Sequence, residues 1–374
     1  MGVIVPGHHL PQLESGPSTL LTSDRSTSLE PTCDNRRVRA LRLHGPGDIR
    51  LDEVAPPDAS SVVIKVSACG VCGSDVHFVD GSARTGHLPI TLGHEVAGTI
   101  LSAPGNDLAL GAEVVAEVGR FCLSCPRCLE GRPNLCERAR GLGIHVDGGF
   151  ADLIAVPIES VVARPPQVSV AAAATAVDAG ATALHAIRRR ARIESGESVL
   201  VIGASGLGTY GIQFAQLAGA AVVIVADTDA GALARAADLG VDETILVEPE
   251  ASIGRQVKML TDGGVDAAIE FVGSASAVDA AVKSIRPGGR AVAVGVGIEP
   301  VVSLPVVLWS TNEYSLLGSF GSLPGDTKLV LEALANESVV APDTIDVALA
   351  DGADLLAELA AGKRTGPERP MIRP

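Results

Sequence analysis

The stretch SVLVIGASGLGTYGIQFAQLAGAAVVIVAD, residues 198–227, decides the fold. An apolar run of strand length, SVLVI, breaks into GASGLG, a small-residue helical stretch follows over 206–217, and a second apolar strand, AVVIVAD, closes the unit. Gly203, Gly206 and Gly208 lie where a loop opens a helix, so backbone amides there can meet a pyrophosphate at close range. The spacing departs from G-x-G-x-x-G, because Ser205 occupies the second glycine position, and taken alone the loop also reads as a glycine-rich turn. Asp227 at the end of the second strand supplies context. Its carboxylate can accept both ribose hydroxyls of NAD and repel the 2′-phosphate of NADP, while Thr228 and Asp229 remain available to cap the next helix.

Outward from this unit the alternation continues. Helical stretches at 230–239, 252–260 and 275–285 separate the apolar runs TILV, DAAIEFVG, RAVAVGV and YSLLGSF, which predicts a doubly wound parallel sheet from about residue 182. One more helix is expected at 326–335, then a short mixed tail. Upstream, from Val38, short alternating runs split by Gly and Pro (VRALRLHGPGDIRLDEV, SVVIKVSA, HEVAGTI) predict an all-β region. Residues 1–36, rich in Pro, Ser, Thr and Gly, read as a mobile extension without the pattern of a secretory signal.

Composition narrows the function. The 374 residues suffice for two or three cores, and 47% hydrophobic against 20% charged residues excludes wholesale disorder. A net charge of −15 with only 2% aromatics argues against nucleic-acid binding and toward a small-molecule partner. The most apolar stretch, 168–187, is interrupted by Ser169, Asp178 and His185, so no membrane span is expected. Seven cysteines, four of them crowded together, look unlike a secreted disulfide framework and point to a reducing, cytoplasmic compartment.

Those four, Cys122, Cys125, Cys128 and Cys136 in FCLSCPRCLEGRPNLC, have C-x2-C-x2-C-x7-C spacing, which suits a closed structural zinc site better than the common iron–sulfur runs. A closed S4 shell leaves no position for substrate, so this metal braces a loop. Further candidate ligands are Cys72 in CGVCGSDVH, His94 with Glu95 in GHEVAG, and Asp178 in VDAGATALH. One thiolate, one imidazole and one carboxylate would leave zinc an open position. Spacing does not establish that set: His94 also reads as a core histidine, and Cys69-x-x-Cys72 as a redox pair.

Together, CGSDVH, GHEVAG, the four-cysteine lobe, the glycine loop and the acidic strand end occur in the order found in zinc-dependent medium-chain alcohol dehydrogenases, which the chain resembles from about Val38 to Pro374. The resemblance implies a GroES-like β-rich catalytic domain (37–183 and 323–374) and a Rossmann cofactor domain (184–322). It implies Cys72, His94 and Asp178 as catalytic zinc ligands, Glu95 as a carboxylate able to exchange onto the metal, and Asp75 as the group orienting His94. Asp as the third ligand is similar to bacterial secondary-alcohol dehydrogenases. Ser74 matches the hydroxyl that takes the substrate proton and His77 the solvent end of the relay. Gly203, Ser205, Gly206, Leu207 and Gly208 are implied at the pyrophosphate and Asp227 at the adenosine ribose. Thr182, Val272 and Gly295 are implied near the nicotinamide, and Arg369 at the pyrophosphate, although Glu368 replaces the usual preceding glycine. The implied activity is NAD-dependent interconversion of primary or secondary alcohols with aldehydes or ketones, with two zinc ions per chain, in a homodimer or homotetramer. A polyol or amino-alcohol dehydrogenase uses similar motifs; a non-catalytic nucleotide-binding module or a zinc-free reductase would lack the ligands present here.

Overall fold

The computed structural model describes residues 37–249, 251–301, 304–363 and 368–374. The extension expected at 1–36 and Cys33 within it lie outside the described residues.

The strand Ser198–Ile202 is central to a six-stranded parallel sheet. From one edge the order is Glu243–Leu246, Val222–Asp227, Ser198–Ile202, Val265–Glu270, Ile285–Ala293 and Ser315–Gly318. The chain thus runs outward on one side and then on the other, leaving a crevice where Ile202 and Glu270 end side by side. Val199, Leu200, Val201 and Ile202 are all buried, with no alternation, because helices cover both faces of the sheet. The helices Leu207–Leu217, Ala230–Asp238, Ile253–Leu260 and Ala275–Ser284 fall within a residue or two of their expected places. Asp229 caps the second of them by accepting from the Gly231 amide at 2.9 Å, which leaves Asp227 free of that task.

The N-terminal part is built from antiparallel strands, with Val62–Gly70 paired to both Glu95–Ser102 and Leu153–Val156. One expectation is corrected here. The region is not all-β: Gly73–Asp80 is a helix. Its eight residues are too few to print a helical period, and its start is specified instead by Asp75, whose Oδ2 accepts from the Cys72 amide at 2.9 Å. The short mixed tail expected after residue 335 returns to this part of the chain. It forms the strand Thr344–Ala348, the helix Gly352–Ala360 and the strand Arg369–Arg373, whose Met371 and Ile372 pair back onto Gly70 and Cys69.

A single helix, Val170–Ala191, joins the two regions, so the helical texture begins before residue 182. By length and composition it could cross a membrane, but 72% of its apolar window is buried inside the protein. Ser169 caps it by accepting from the Ala172 amide at 3.1 Å. Ala176–Gly180 and Ala186–Ala191 are wound as π turns, and the first contains Asp178. Such turns recur at functional sites because they shift which face a side chain meets.

Candidate active site and metal centres

Three elements deliver the open ligand set. Cys72 precedes the helix Gly73–Asp80, His94 ends the loop before Glu95–Ser102, and Asp178 occupies the π turn of the connecting helix. Cys72 Sγ lies 3.4 Å from Asp178 Oδ2, which is 3.4 Å from His94 Nε2, and the three donor atoms all fall within 4.8 Å of one another. His94 is 2% exposed, and its Nδ1 faces Asp75 Oδ1 at 3.6 Å. Asp75, fully buried, also accepts from the Gly93 amide at 3.3 Å. A soft sulfur, an imidazole nitrogen and a carboxylate oxygen converging this closely from 106 residues of sequence separation fit one zinc ion. Cys69, by contrast, is buried in the apolar core, while Cys72 faces the donor set.

Glu95 stands outside the compact donor set. Its Oε1 accepts from Arg369 Nη2 at 2.7 Å and from the Ala179 amide at 3.3 Å, while its buried Oε2 has no hydrogen-bond partner. Gly70 is required beside it, since a Cβ there would meet Oε2 at 2.1 Å. Burial raises the Glu95 carboxyl to about 7 against the opposing charge of Arg369. Burial also raises Asp178, but its hydrogen bond to His94 and the charge there outweigh this and bring it down to about 2.

Arg369 connects the two halves of the site. With one nitrogen on Glu95, its Nη1 reaches within 2.9 Å of where a Cβ on Gly206 would sit. Gly208 packs against the loop's own start, a Cβ there falling 1.8 Å from the Gly203 carbonyl oxygen. Cys72, Ser205, Gly206, Leu207 and Arg369 line one cavity of about 250 Å³, so one metal donor, Cys72, and the glycine loop open onto a shared space. A second cavity, of about 520 Å³, is bounded by Gly203, Asp227 and Val272 at the strand ends. Asp227 Oδ2 accepts from the Ala204 amide at 2.7 Å and Oδ1 from the Asp229 amide at 2.9 Å, so the carboxylate shapes the loop while facing this cavity.

Other expected residues take definite places. Thr182, one turn after Asp178, donates from Oγ1 to Asp178 Oδ1 at 3.2 Å. Ser74 and His77 share the helix after Cys72 three positions apart, and His77 Nδ1 sits 2.9 Å from Ser82 Oγ. Gly295 closes on the Gly273 amide, where a Cβ would lie 2.0 Å away. One residue escaped the sequence reading: Glu270, fully buried at a strand end, accepts from the Val272 and Gly273 amides and fixes the turn that presents Val272. An acidic residue closing the apolar run DAAIE was the available signal.

In the four-cysteine lobe the sulfurs of Cys122 and Cys136 are 3.4 Å apart, Cys125 and Cys128 3.5 Å, Cys125 and Cys136 3.8 Å, and Cys122 and Cys128 3.9 Å. A tetrahedral ion with Zn–S near 2.3 Å requires edges of ~3.8 Å, so these distances fit one metal, whereas thiolates on separate irons of a cluster stand wider apart. Amide donation from Ser124 brings the Cys122 thiol down to about 5, favouring the thiolate.

A buried S, N, O donor set beside a phosphate loop on a doubly wound sheet defines a metal-dependent oxidoreductase that binds a nucleotide. The chain belongs to the zinc-type medium-chain dehydrogenases: residues 58–166 match the alcohol dehydrogenase GroES-like domain and residues 206–336 the zinc-binding dehydrogenase domain. It is 30% identical to D-arabitol-phosphate dehydrogenase of Enterococcus avium over 82% of this chain and 89% of the relative. It is 33% identical to an alcohol dehydrogenase of Geobacillus stearothermophilus over 78% of this chain and 87% of that one. Among solved structures, a zinc-binding dehydrogenase of Sinorhizobium meliloti 1021 bound to NADP superposes with a TM-score of 0.81 at 29% identity, covering 90% of this chain and 99% of the other.

Proposed function

We propose that this protein is an NAD-dependent alcohol dehydrogenase that interconverts primary or secondary alcohols with aldehydes or ketones. The observation that carries the reading is the convergence of Cys72, His94 and Asp178 within 4.8 Å, with Cys72 on the cavity that also holds Gly206 and Arg369. Zinc held by these three would act as a Lewis acid on the substrate oxygen, and the nicotinamide of NAD would carry the hydride.

The chain's own residues do the rest. Asp75 orients His94, and Thr182 holds Asp178 so that its other oxygen faces Cys72 and His94. Ser74 takes the substrate proton and His77, on the solvent side of the same helix, passes it outward. Gly203, Gly206, Leu207 and Gly208 cradle the pyrophosphate with Arg369, Asp227 binds the adenosine ribose, and Val272 and Gly295 flank the nicotinamide side. Glu95 holds Arg369 and is available as a second carboxylate near the metal. Residues 37–183 with 323–374 form the catalytic domain and 184–322 the cofactor domain. A homodimer or homotetramer is supported by the edge strand Ser315–Gly318 and by Val306, 79% exposed, and Phe320, 64% exposed, near it. Grouping of five cysteines in two metal-ligand sets rather than a disulfide framework supports a reducing, cytoplasmic setting. Polyol oxidation is the second reading, favoured by the arabitol-phosphate relative.

The decisive experiment measures zinc per chain together with NAD+ reduction on a panel of primary, secondary and polyhydric alcohols. Two zinc ions and turnover on simple secondary alcohols support the proposal; turnover confined to polyols selects the second reading, and no NADH with any alcohol overturns both.

Two substitutions probe the assignments separately. Asp75→Asn keeps the shape but removes the charge behind His94, so zinc at the open site should be lost to a chelator at concentrations ten- to a hundredfold lower, by metal analysis after dialysis. Asp227→Asn keeps an acceptor for the Ala204 amide but removes the repulsion toward a 2′-phosphate. The ratio of kcat/KM for NAD to that for NADP should fall by about tenfold or more. An unchanged ratio would remove Asp227 from cofactor selection.

A further inference from the structure

The strand ends that bound the crevice carry a buried acid to which the proposed chemistry gives no task. Glu270, fully buried, ends the strand Val265–Glu270 beside Ile202, and its Oε1 accepts from the amides of Val272 and Gly273. Its Oε2 is buried without a hydrogen-bond partner. Taking a carboxylate out of water is strongly unfavourable, and a buried polar atom left unpaired in a native fold calls for a reason. A turn that needed only its amides satisfied would be served by the short polar side chain of a serine or an asparagine.

Glu270 ties two loops at once. While its side chain holds residues 272 and 273, its carbonyl oxygen accepts from the Val294 amide at 2.9 Å and from the Gly295 amide at 3.2 Å. The two loops are pressed backbone to backbone: a Cβ on Gly295 would fall 2.0 Å from the Gly273 nitrogen, and one on Gly297 1.8 Å from the Gly273 oxygen. Glycines leave no side chain between these backbones to set their spacing, so the hydrogen bonds to Glu270 set it. The turn also separates the two cavities of the site. Phe271 lines the one shared by Cys72 and the glycine loop, and Val272 lines the one bounded by Asp227. Val272 is 54% exposed, and its Cγ2 lies 3.0 Å from where a Cβ on Gly203 would sit, so an apolar face stands at the start of the phosphate loop.

We propose that Glu270 is a positioning residue for hydride transfer: by fixing the turn 271–273 against Gly295, it sets where the nicotinamide ring rests relative to Cys72, His94 and Asp178. The inference rests on the dehydrogenase reading above. Glu270 has no exposed surface and does not touch the ring; it acts through Val272 and Gly295. In that reading the adenosine and the pyrophosphate are held elsewhere, by Asp227 and the glycine loop, so a displaced turn misplaces the ring and leaves affinity for the dinucleotide nearly unchanged.

The test compares Glu270→Ala and Glu270→Gln in the zinc-loaded protein. Glutamine keeps a carbonyl oxygen for both amides and puts its NH2 group where Oε2 already lacks a partner, so it should restore the turn. In Glu270→Ala, kcat on an alcohol that the wild type oxidises should fall about ten- to a hundredfold, the effect of misplacing a reacting group by roughly an ångström. The Kd for NADH should stay within about threefold of the wild type, and the primary deuterium isotope effect on kcat should rise as hydride transfer becomes limiting. A readout without turnover is the fluorescence of bound NADH, which reports the surroundings of the ring: its emission should shift toward that of free NADH in Glu270→Ala and return in Glu270→Gln. A merely structural role would instead lower the fraction of chains that bind NADH and leave kcat per bound NADH unchanged. If Glu270→Ala does not fold, Glu270→Asp, which draws the carboxyl oxygens back by one methylene, should show the same split between kcat and Kd. Wild-type kcat and emission in the truncated variant, a loss confined to Kd or to the folded fraction, or no rescue by glutamine overturns the proposal. A wild type that binds NADH yet oxidises no alcohol fails the dehydrogenase reading alone, and the emission of the bound cofactor then decides on Glu270; a wild type that binds no NADH overturns both.

Discussion

Cys72→Ala is expected to lower kcat/KM by about a thousandfold or more, the kinetic equivalent of the several kcal/mol that a Lewis acid contributes. The thermal midpoint should move little. Cys72 has φ −103° and ψ 157°, extended values that alanine adopts freely, and its amide still donates to Asp75 Oδ2 when the sulfur is gone. The side chain is partly exposed and faces the donor set, 3.4 Å from Asp178, rather than the apolar core. Removing it therefore takes a ligand from the metal without opening a hole in the core. Zinc per chain should fall from two to one. Wild-type kcat in Cys72→Ala, with both ions retained, would place the open site elsewhere.

That a substitution can be argued at this level owes much to what the linear pattern displayed. The nucleotide-binding sheet was legible because its central strands, Ser198–Ile202, Val222–Asp227 and Val265–Glu270, are buried on both faces and print as largely apolar runs, and because glycines mark the loop where the helix begins. The closed cysteine site was legible from spacing, since all four ligands come from one short segment. The open site is different. Cys72, His94 and Asp178 are distant in sequence, each has an ordinary structural alternative, and only the order of the surrounding motifs gathered them. What pattern reading missed were features with no period. The helix Gly73–Asp80 is two turns long, and the π turn at Asp178 looks like any alanine-rich helix. The return of Arg369–Arg373 to the strand Val62–Gly70 depends on pairing across the whole chain and entered only through the family resemblance. That return matters to the site, because it carries Arg369 to Glu95 and to the edge of the glycine loop. Glu270 was missed for a related reason. A single acidic residue at a strand end reads as a boundary, whereas in the fold it is buried and ties down two amides.

Cys125→Ser should produce the opposite phenotype from Cys72→Ala: a large loss of local stability with chemistry preserved in the molecules that remain folded. The reason lies in how little else holds the lobe. Between Cys122 and Cys136 only Cys125, 4% exposed, and Cys136, 8% exposed, are buried, while Leu123 and Leu129 are 64% and 76% exposed. Its one α-helix is the four-residue Pro126–Leu129, far below the length that is stable alone. Side-chain ties to the rest of the chain are few, such as Asn134 Nδ2 to the Phe320 carbonyl at 2.8 Å. With no apolar core of its own, the segment folds on its metal, and ligand-metal free energy is folding free energy there. Serine is a poorer zinc ligand than cysteine, so the ion should be lost and the lobe should open locally before the sheet unfolds. Limited trypsin digestion should then cut at Arg127 or Arg138 at least tenfold faster than in the wild type, since opening by about 1.4 kcal/mol more readily already has that effect. Zinc per chain should again fall from two to one, but kcat on an alcohol should stay within a few-fold, because no atom of the lobe belongs to the Cys72, His94 and Asp178 set. Unchanged protease resistance after loss of that zinc would mean that the lobe is held by its contacts with the segment 318–323 rather than by metal, and the bracing role would pass to Asn134 and its neighbours.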